Sequence, residues 1–241
     1  MPRLATLHAP RMGPRTRKAR IPALALVALA AALLAATAIA GVTVYTNNFS
    51  SKGGAKELRH AEGKHCQRSW RKKAKNVVVR AKKGKTVCGY RPPVEGDAKA
   101  PDHYFKATEK MGKNTPKSVR DRVYTGIAVR SAKNVGYELW VFPTQRKFKL
   151  ARLDGGSKPT FLAKGGNKAI KGRGKANHLG LKAVGSKIIA KANGKRLAKT
   201  IDHNAGQVDG RKVELMLGYK KKRSKPVSMT VDDLELQVPN P

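Results

Sequence analysis

Cleavage of a glycosidic bond needs two carboxyl groups about 5 to 9 Å apart. Along a strand such a pair stands at i and i+2, or i and i+4, on one face. Glu138 has Trp140 two residues on, and Glu214 has Met216. Asp232 and Asp233 are adjacent and so face opposite ways, whereas Asp233 and Glu235 share a face near the C-terminus. None of these spacings predicts a catalytic pair. Nucleophilic chemistry fares no better, because no G-x-S-x-G elbow accompanies His103, His178 or His203. Asp202 and His203 read as a turn cap and a solvated neighbour. Asp97, Asp102, Asp154 and Asp209 are scattered singly, so no calcium set is expected. Gly165-Gly166 and Gly172-x-Gly174 lack the strand–turn–helix setting of a nucleotide phosphate loop. The expectation is therefore no catalytic residue, no metal and no cofactor.

Binding residues are easier to find. In Gly136–Phe142 (GYELWVF), period-two alternation sends Tyr137, Leu139 and Val141 to the core and Glu138, Trp140 and Phe142 outward. On the following segment the outward set is either Lys147, Lys149 and Ala151 or Phe148, Leu150 and Arg152. A tryptophan among charged neighbours on a sheet face suits sugar stacking; buried in a core, it would not be available for that. The glycine-rich run Lys164–Lys175 (KGGNKAIKGRGK) offers cations to an anion or is simply a solvated loop. The expected ligand-binding set is Glu138, Trp140, Lys149, Arg152, Lys168, Lys171 and Arg173.

Charge narrows the partners. The chain carries 52 Lys and Arg against 15 Asp and Glu, a net +37 in 241 residues. Such a field attracts polyanions, with affinity that falls as salt rises. Residues 1–20 are basic and free of acid, holding Arg3, Arg11, Arg15, Arg17, Lys18 and Arg20; they read as a cytoplasmic tail. Residues 21–44 are uncharged and rich in Ala, Leu, Ile and Val, enough to span about 36 Å as a helix. The basic flank places residues 45–241 outside, as one extracytoplasmic domain of a single-pass cell-membrane protein. The alternative is secretion after cleavage near Ala40, at Ala38-Ile39-Ala40, a reading strengthened if Val42, Val44 and Phe49 belong to a first strand ending in the turn Asn47-Asn48-Phe49-Ser50. Export agrees with the cysteines: Cys66 and Cys88 are the only two and are expected to pair, because the nearby His60 and His65 make no zinc spacing.

The elements that position these residues are short strands. From Ala176 to Asp202 three apolar-alternating runs are divided by Val184-Gly185-Ser186 and by Asn193-Gly194, a type I′ hairpin signal. Upstream, Val123–Arg130, Gly136–Phe142 and Lys147–Leu153 alternate, and Phe161–Ala163 is a short run. Asn76–Arg80, Thr86–Tyr90 and Asp102–Thr108 read as strands in the less distinct first half, with Ser51–Lys64 a loop holding one short turn. Val213–Tyr219 and Val227–Val238 close the chain, with Lys220–Lys225 an exposed turn between them. No apolar stripe of helical period runs for three turns after residue 45, so the domain reads as a β-sandwich.

The pattern N-x-L-x-L-x-x-x-G-x-x-I-x-x-x-x-N-G, followed by Asp202, Gly210, Val213-Glu214-Leu215 and a final V-D-D-L-E-L, resembles the concanavalin A-like jelly roll. More narrowly it is similar to laminin G-like and 3-keto-disaccharide-hydrolase-like domains. The resemblance runs from about Arg122 to Val238 and implies an all-β, two-sheet jelly-roll sandwich, here preceded by one N-terminal membrane-spanning helix. Its motifs are turn and packing signals. Jelly-roll glucanases carry an E-x-D-x-x-E strand that is missing here.

The expected function is an exported, membrane-tethered, non-catalytic module for an anionic polysaccharide or cell-envelope polymer. One alternative is a structural envelope protein meeting an anionic membrane surface or a partner protein. Another is a glycan-active hydrolase of the 3-keto-disaccharide-hydrolase-like type. Nucleic acid is set aside: an exported domain rarely meets it, and the basic residues are dispersed without interleaved aromatics.

Overall fold

A computed structural model describes residues 41–82, 87–94, 102–156, 158–219 and 226–238. The basic tail, residues 21–40 of the apolar run and the Lys220–Lys225 turn lie outside them. Residues 42–44, placed in the membrane span above, are strand. Among the described residues no helix is long and apolar enough to cross a membrane.

The strands in chain order are β1 (Val42–Asn47), β2 (Arg59–Glu62), β3 (Cys66–Arg71), β4 (Asn76–Ala81), β5 (Val87–Arg91), β6 (His103–Met111), β7 (Val123–Ala132), β8 (Val135–Phe142), β9 (Lys147–Asp154), β10 (Thr160–Gly166), β11 (Asn177–Val184), β12 (Lys187–Ala192), β13 (Lys195–Ile201), β14 (Lys212–Tyr219) and β15 (Val227–Val238). One short helix, α1 (Lys52–Glu57), follows β1; Ser51 Oγ accepts from Gly54 N at 3.1 Å and caps it. An eight-stranded sheet runs β13-β12-β11-β6-β15-β4-β3, with β1 on the second half of β15. A seven-stranded sheet runs β10-β9-β8-β7-β14-β5-β2. Every pairing among the described strands is antiparallel.

Alternation explains the layers. Val123, Ile127 and Val129 of β7, Tyr137, Leu139 and Val141 of β8, and Leu215 and Leu217 of β14 face inward. They meet Phe105 and Met111 of β6, Leu179 and Leu181 of β11, and Met229 and Val231 of β15 from the other sheet. Phe49 and Leu58, flanking α1, are fully buried in the same core. Phe49 takes φ +52, and Asn47 Oδ1 accepts its N–H, so Asn47–Ser50 is a tight turn that drives the ring inward. The meander is as expected: Asn193 and Gly194 have φ of +50 and +77 and join β12 to β13. Cys66 and Cys88 are disulfide-bonded, tying β3 to β5 across the two sheets.

Four elements differ from expectation. Ser51–Lys64 holds α1 and β2, not a plain loop. Cys66–Arg71 is an edge strand whose Arg68 and Arg71 broke the apolar signal. β6 runs on to Met111, because its sheet neighbours on both sides extend it past Thr108. β10 takes in Lys164–Gly166, so the glycine-rich loop is shorter than its sequence suggested.

Candidate functional site

The outer face of the seven-stranded sheet carries a second apolar layer. Tyr124, Ala128, Trp140, Phe142, Ala151 and Met216 pack together there, away from the main core. Cross-strand register sets the arrangement. Gly126 of β7 stands between Trp140 of β8 and Met216 of β14, so no side chain lies directly opposite the indole and a ring from two residues along β7 can reach it. Tyr124 stacks on Trp140 with ring centroids 5.0 Å apart, and Phe142 tilts against Tyr124 at 5.6 Å. Phe161 of β10 meets the indole edge-on at 5.7 Å and is itself 41% exposed. Lys149 Nζ sits 4.5 Å from the Phe161 ring centre, a cation–π contact.

Trp140 therefore points outward, but only 9% of its surface is free. The solvent-facing aromatic of this ledge is Phe161, which sequence reasoning missed because its run of three residues showed no alternation. At one end of the ledge a cleft of about 370 Å³ is lined by Arg122, Lys147, Lys149, Lys164, Phe142 and the acidic Asp121, among others. Four cations against one acid make it complementary to an anion.

At the other end three acids gather among four cations, Arg91, Lys133, Arg211 and Lys212. Ala128 is opposite Glu138 on β8 and Glu214 on β14, so the two carboxylates flank a small residue, about 10 Å apart at their Cα atoms by strand spacing. Glu214 is held by Arg91 at 2.6 Å and by the Ser131 hydroxyl. Glu138 accepts from Trp140 Nε1 at 2.5 Å. Burial raises the Glu138 pKa to about 7; the indole bond opposes this, and the charges of Glu62 and Glu214 add to it. Glu62 is also raised, by burial and then by Glu214. These groups line a cleft of about 460 Å³ with Arg211 and Lys212. The acids come from three strands distant in sequence, which in-strand spacing cannot reveal.

The expected ligand residues separate into three places. Glu138, Trp140 and Lys149 lie together on the outer face. On β9 the outward set is Lys147, Lys149 and Ala151, and Arg152 turns inward. It donates through Nη1 to Asp202 Oδ1 at 2.6 Å and through Nη2 to Asp154 at 3.3 Å. Tyr137 Oη donates to the same Asp202 at 2.8 Å, and Asn204 N donates to it at 3.1 Å. Asp202 is a buried member of an inter-sheet network as well as a turn cap, and Arg152 is unavailable to a ligand. Lys168, Lys171 and Arg173 sit in the loop from β10 to β11, exposed but on an ordered backbone. Ile170 buries fully, Asn177 bonds both backbone groups of Lys171, Asn193 Nδ2 reaches Ala169 O, and Arg173 bonds Thr115 O. Those anchors fasten the loop to the meander and not to the aromatic face. Among the described residues no group of three or more His, Cys, Asp or Glu is placed to hold a metal ion.

No family model matches the chain, and no curated protein matches it. Solved structures do. A Bacillus subtilis protein with a galectin-like fold aligns at 12% identity and a TM-score of 0.57, over 83% of this chain and 98% of that one. A carbohydrate-binding module from Bacillus subtilis aligns at 11% identity and 0.53, over 75% and 95%. The kappa-carrageenase of Pseudoalteromonas carrageenovora, solved with an oligotetrasaccharide of kappa-carrageenan, aligns at 12% and 0.53, over 84% and 96%. At these identities the likeness is one of fold. The chain is an all-β, two-sheet jelly-roll sandwich.

Proposed function

We propose that this protein is an exported binding module for an anionic glycan or cell-envelope polymer, tethered to the cell membrane through the apolar run that precedes β1. The observation that carries the reading is the basic cleft of Arg122, Lys147, Lys149 and Lys164 opening beside Phe161 and Trp140. An aromatic ring takes the C–H face of a sugar, and the cations take its carboxylate, sulfate or phosphate. Similar folds that include a carbohydrate-binding module and a carrageenan-cleaving enzyme make a glycan a natural occupant. Anionic lipid or a partner protein at a membrane surface is the competing occupant. The test is retention on an acidic-glycan array and on anionic vesicles at two salt concentrations. The reading expects glycan binding that weakens steeply with salt and is lost on reversing Lys147 and Lys164. Vesicle binding without glycan binding overturns it.

The alternative of a glycan-active hydrolase has one observation in its favour. Glu138 and Glu214 stand on either side of Ala128, with the Glu138 pKa raised by burial to about 7 and Glu214 ion-paired to Arg91. A carboxyl that holds its proton toward neutrality, beside a second carboxyl, is an arrangement that glycoside cleavage uses. Reducing-end release from an acidic polysaccharide, abolished in Glu138→Gln, would establish it.

A further inference from the structure

The outer face of the opposite, eight-stranded sheet is built quite differently. Its register places Gly180 of β11 between Lys191 of β12 and Lys106 of β6, with Glu235 of β15 beyond. Tyr104 of β6 leans over that glycine: a β-carbon on Gly180 would lie 3.2 Å from Tyr104 Cε2 and Oη. The ring is thus laid on the sheet by the missing side chain, and Lys106 Nζ stands 4.7 Å from its centre. One strand-step away His178 Nδ1 is bonded to Thr108 Oγ1 at 2.8 Å, which fixes the exposed imidazole in place. Asp233 and Glu235, the same-face carboxylates of β15, form the facing wall, and Glu235 is paired to Lys106 at 3.0 Å. Together these groups enclose a cleft of about 290 Å³, at the small end of ligand sites, which begin near roughly 300 Å³.

We propose that this cleft is a second, independent binding site, for a pyranose carrying a carboxylate or sulfate. The chemistry is read from the walls. Tyr104, flat on Gly180, is a platform for the apolar C–H face of a sugar ring. Asp233 and Glu235 accept from ring hydroxyls, and His178 and Lys191 donate on the other side. Lys182 and Lys187 lie near Lys191 on the same side. Burial and then repulsion from Lys187 and Lys191 lower the Lys182 pKa, so an anion held at Lys191, on the rim of the cleft, relieves that repulsion. A neutral sugar would leave that repulsion in place, and a simple inorganic anion would leave the tyrosine platform unused. Because the two sheets turn their outer faces in opposite directions, a domain with both sites cross-links two polymer segments and gains avidity from doing so. This inference does not depend on the ledge beside Trp140.

The test is a proton NMR titration of the protein with tetragalacturonate, a chondroitin sulfate tetrasaccharide and neutral maltotetraose, reading the His178 C2–H signal identified with His178→Gln. Both acidic sugars are expected to shift it saturably at millimolar concentration, with maltotetraose weaker by about tenfold or more. The shift should be lost in Tyr104→Ala and in Lys191→Glu, and should persist in Phe161→Ala combined with Lys149→Ala. Lys191→Glu leaves the platform ring untouched, so it decides the matter if Tyr104→Ala does not fold. The proposal is overturned if His178 does not respond, if maltotetraose binds as well as the acidic sugars, or if only the Phe161 and Lys149 substitutions remove the response.

Discussion

Arg152→Ala should unfold this domain more readily and leave ligand binding intact. The Arg152–Asp202 pair is close, at 2.6 Å, and enclosed, with side chains 9% and 3% exposed. Removing the guanidinium leaves Asp202, among the described residues, with the Tyr137 hydroxyl and the Asn204 amide as donors to its carboxylate. An uncompensated buried charge of this kind costs about 3 to 5 kcal/mol. Taking about 4 kcal/mol, the folding equilibrium shifts roughly a thousandfold. A domain of this size should lose about 8 to 16 °C in Tm, at roughly 2 to 4 °C per kcal/mol. Urea unfolding of the protein, of Arg152→Ala, of Asp202→Asn and of the double variant gives the cycle. The double variant should lose less than the sum of the singles, with a coupling of about 1 to 3 kcal/mol. A loss below about 1 kcal/mol, the range of solvent-exposed pairs, would refute the reasoning. So would a fall in glycan affinity without a fall in stability, since Arg152 would then face the ligand after all.

Three further outcomes are expected. Cys88→Ala should destabilise by about 3 kcal/mol, because the Cys66–Cys88 bond closes a loop across a sequence separation of 22; mass after alkylation without reduction checks the bond itself. Glu109 is buried between the sheets near Thr125, and burial raises its pKa well above the usual carboxylate range, so Glu109→Met should stabilise the domain, more at pH 8 than at pH 5, by urea midpoint. Glu138 and His103 should pull the pH profile in opposite senses. Glu138, raised from 4.5 to about 7, keeps its proton when folded, so its contribution falls as pH rises through that window. His103 is lowered from 6.5 to about 4, by burial and then Arg130, so its contribution is lost as pH falls from 6.5 toward 4. Relative to the unaltered chain, Glu138→Gln should therefore gain stability with rising pH between 5 and 7, and His103→Asn should gain it with falling pH between 6.5 and 4.

Most strands after Val123, though not β10, were legible because their apolar residues alternate. Tyr137, Leu139 and Val141 alternate with Glu138, Trp140 and Phe142, and that period survives in the fold. β3 was not legible, since an edge strand with Arg68 and Arg71 looks like a loop when its partner is unknown. The site divides in the same way. The outward placement of Trp140 follows from period two, yet its burial under Tyr124 and Phe161 depends on strands 16 and 21 residues away in the chain. The carboxylates of Glu62, Glu138 and Glu214 meet only because β2, β8 and β14 lie in one sheet. Arg152 was misplaced because a long cation on a half-buried strand satisfies either face until its acid, Asp202 on the far sheet's meander exit, is known.

The central claim, that an anionic glycan lies on the ledge beside the basic cleft, is tested most directly at the indole. The chain has two tryptophans, so its indole N–H signals are two in number. Trp140 stands under Phe161, whereas Trp70 donates to Phe49 O on the other sheet at 3.0 Å. Titration with an acidic oligosaccharide should move the Trp140 signal saturably, leave Trp70 in place, and lose the effect in Phe161→Ala. A titration that moves only Trp70, or neither signal at any salt concentration, contradicts the account.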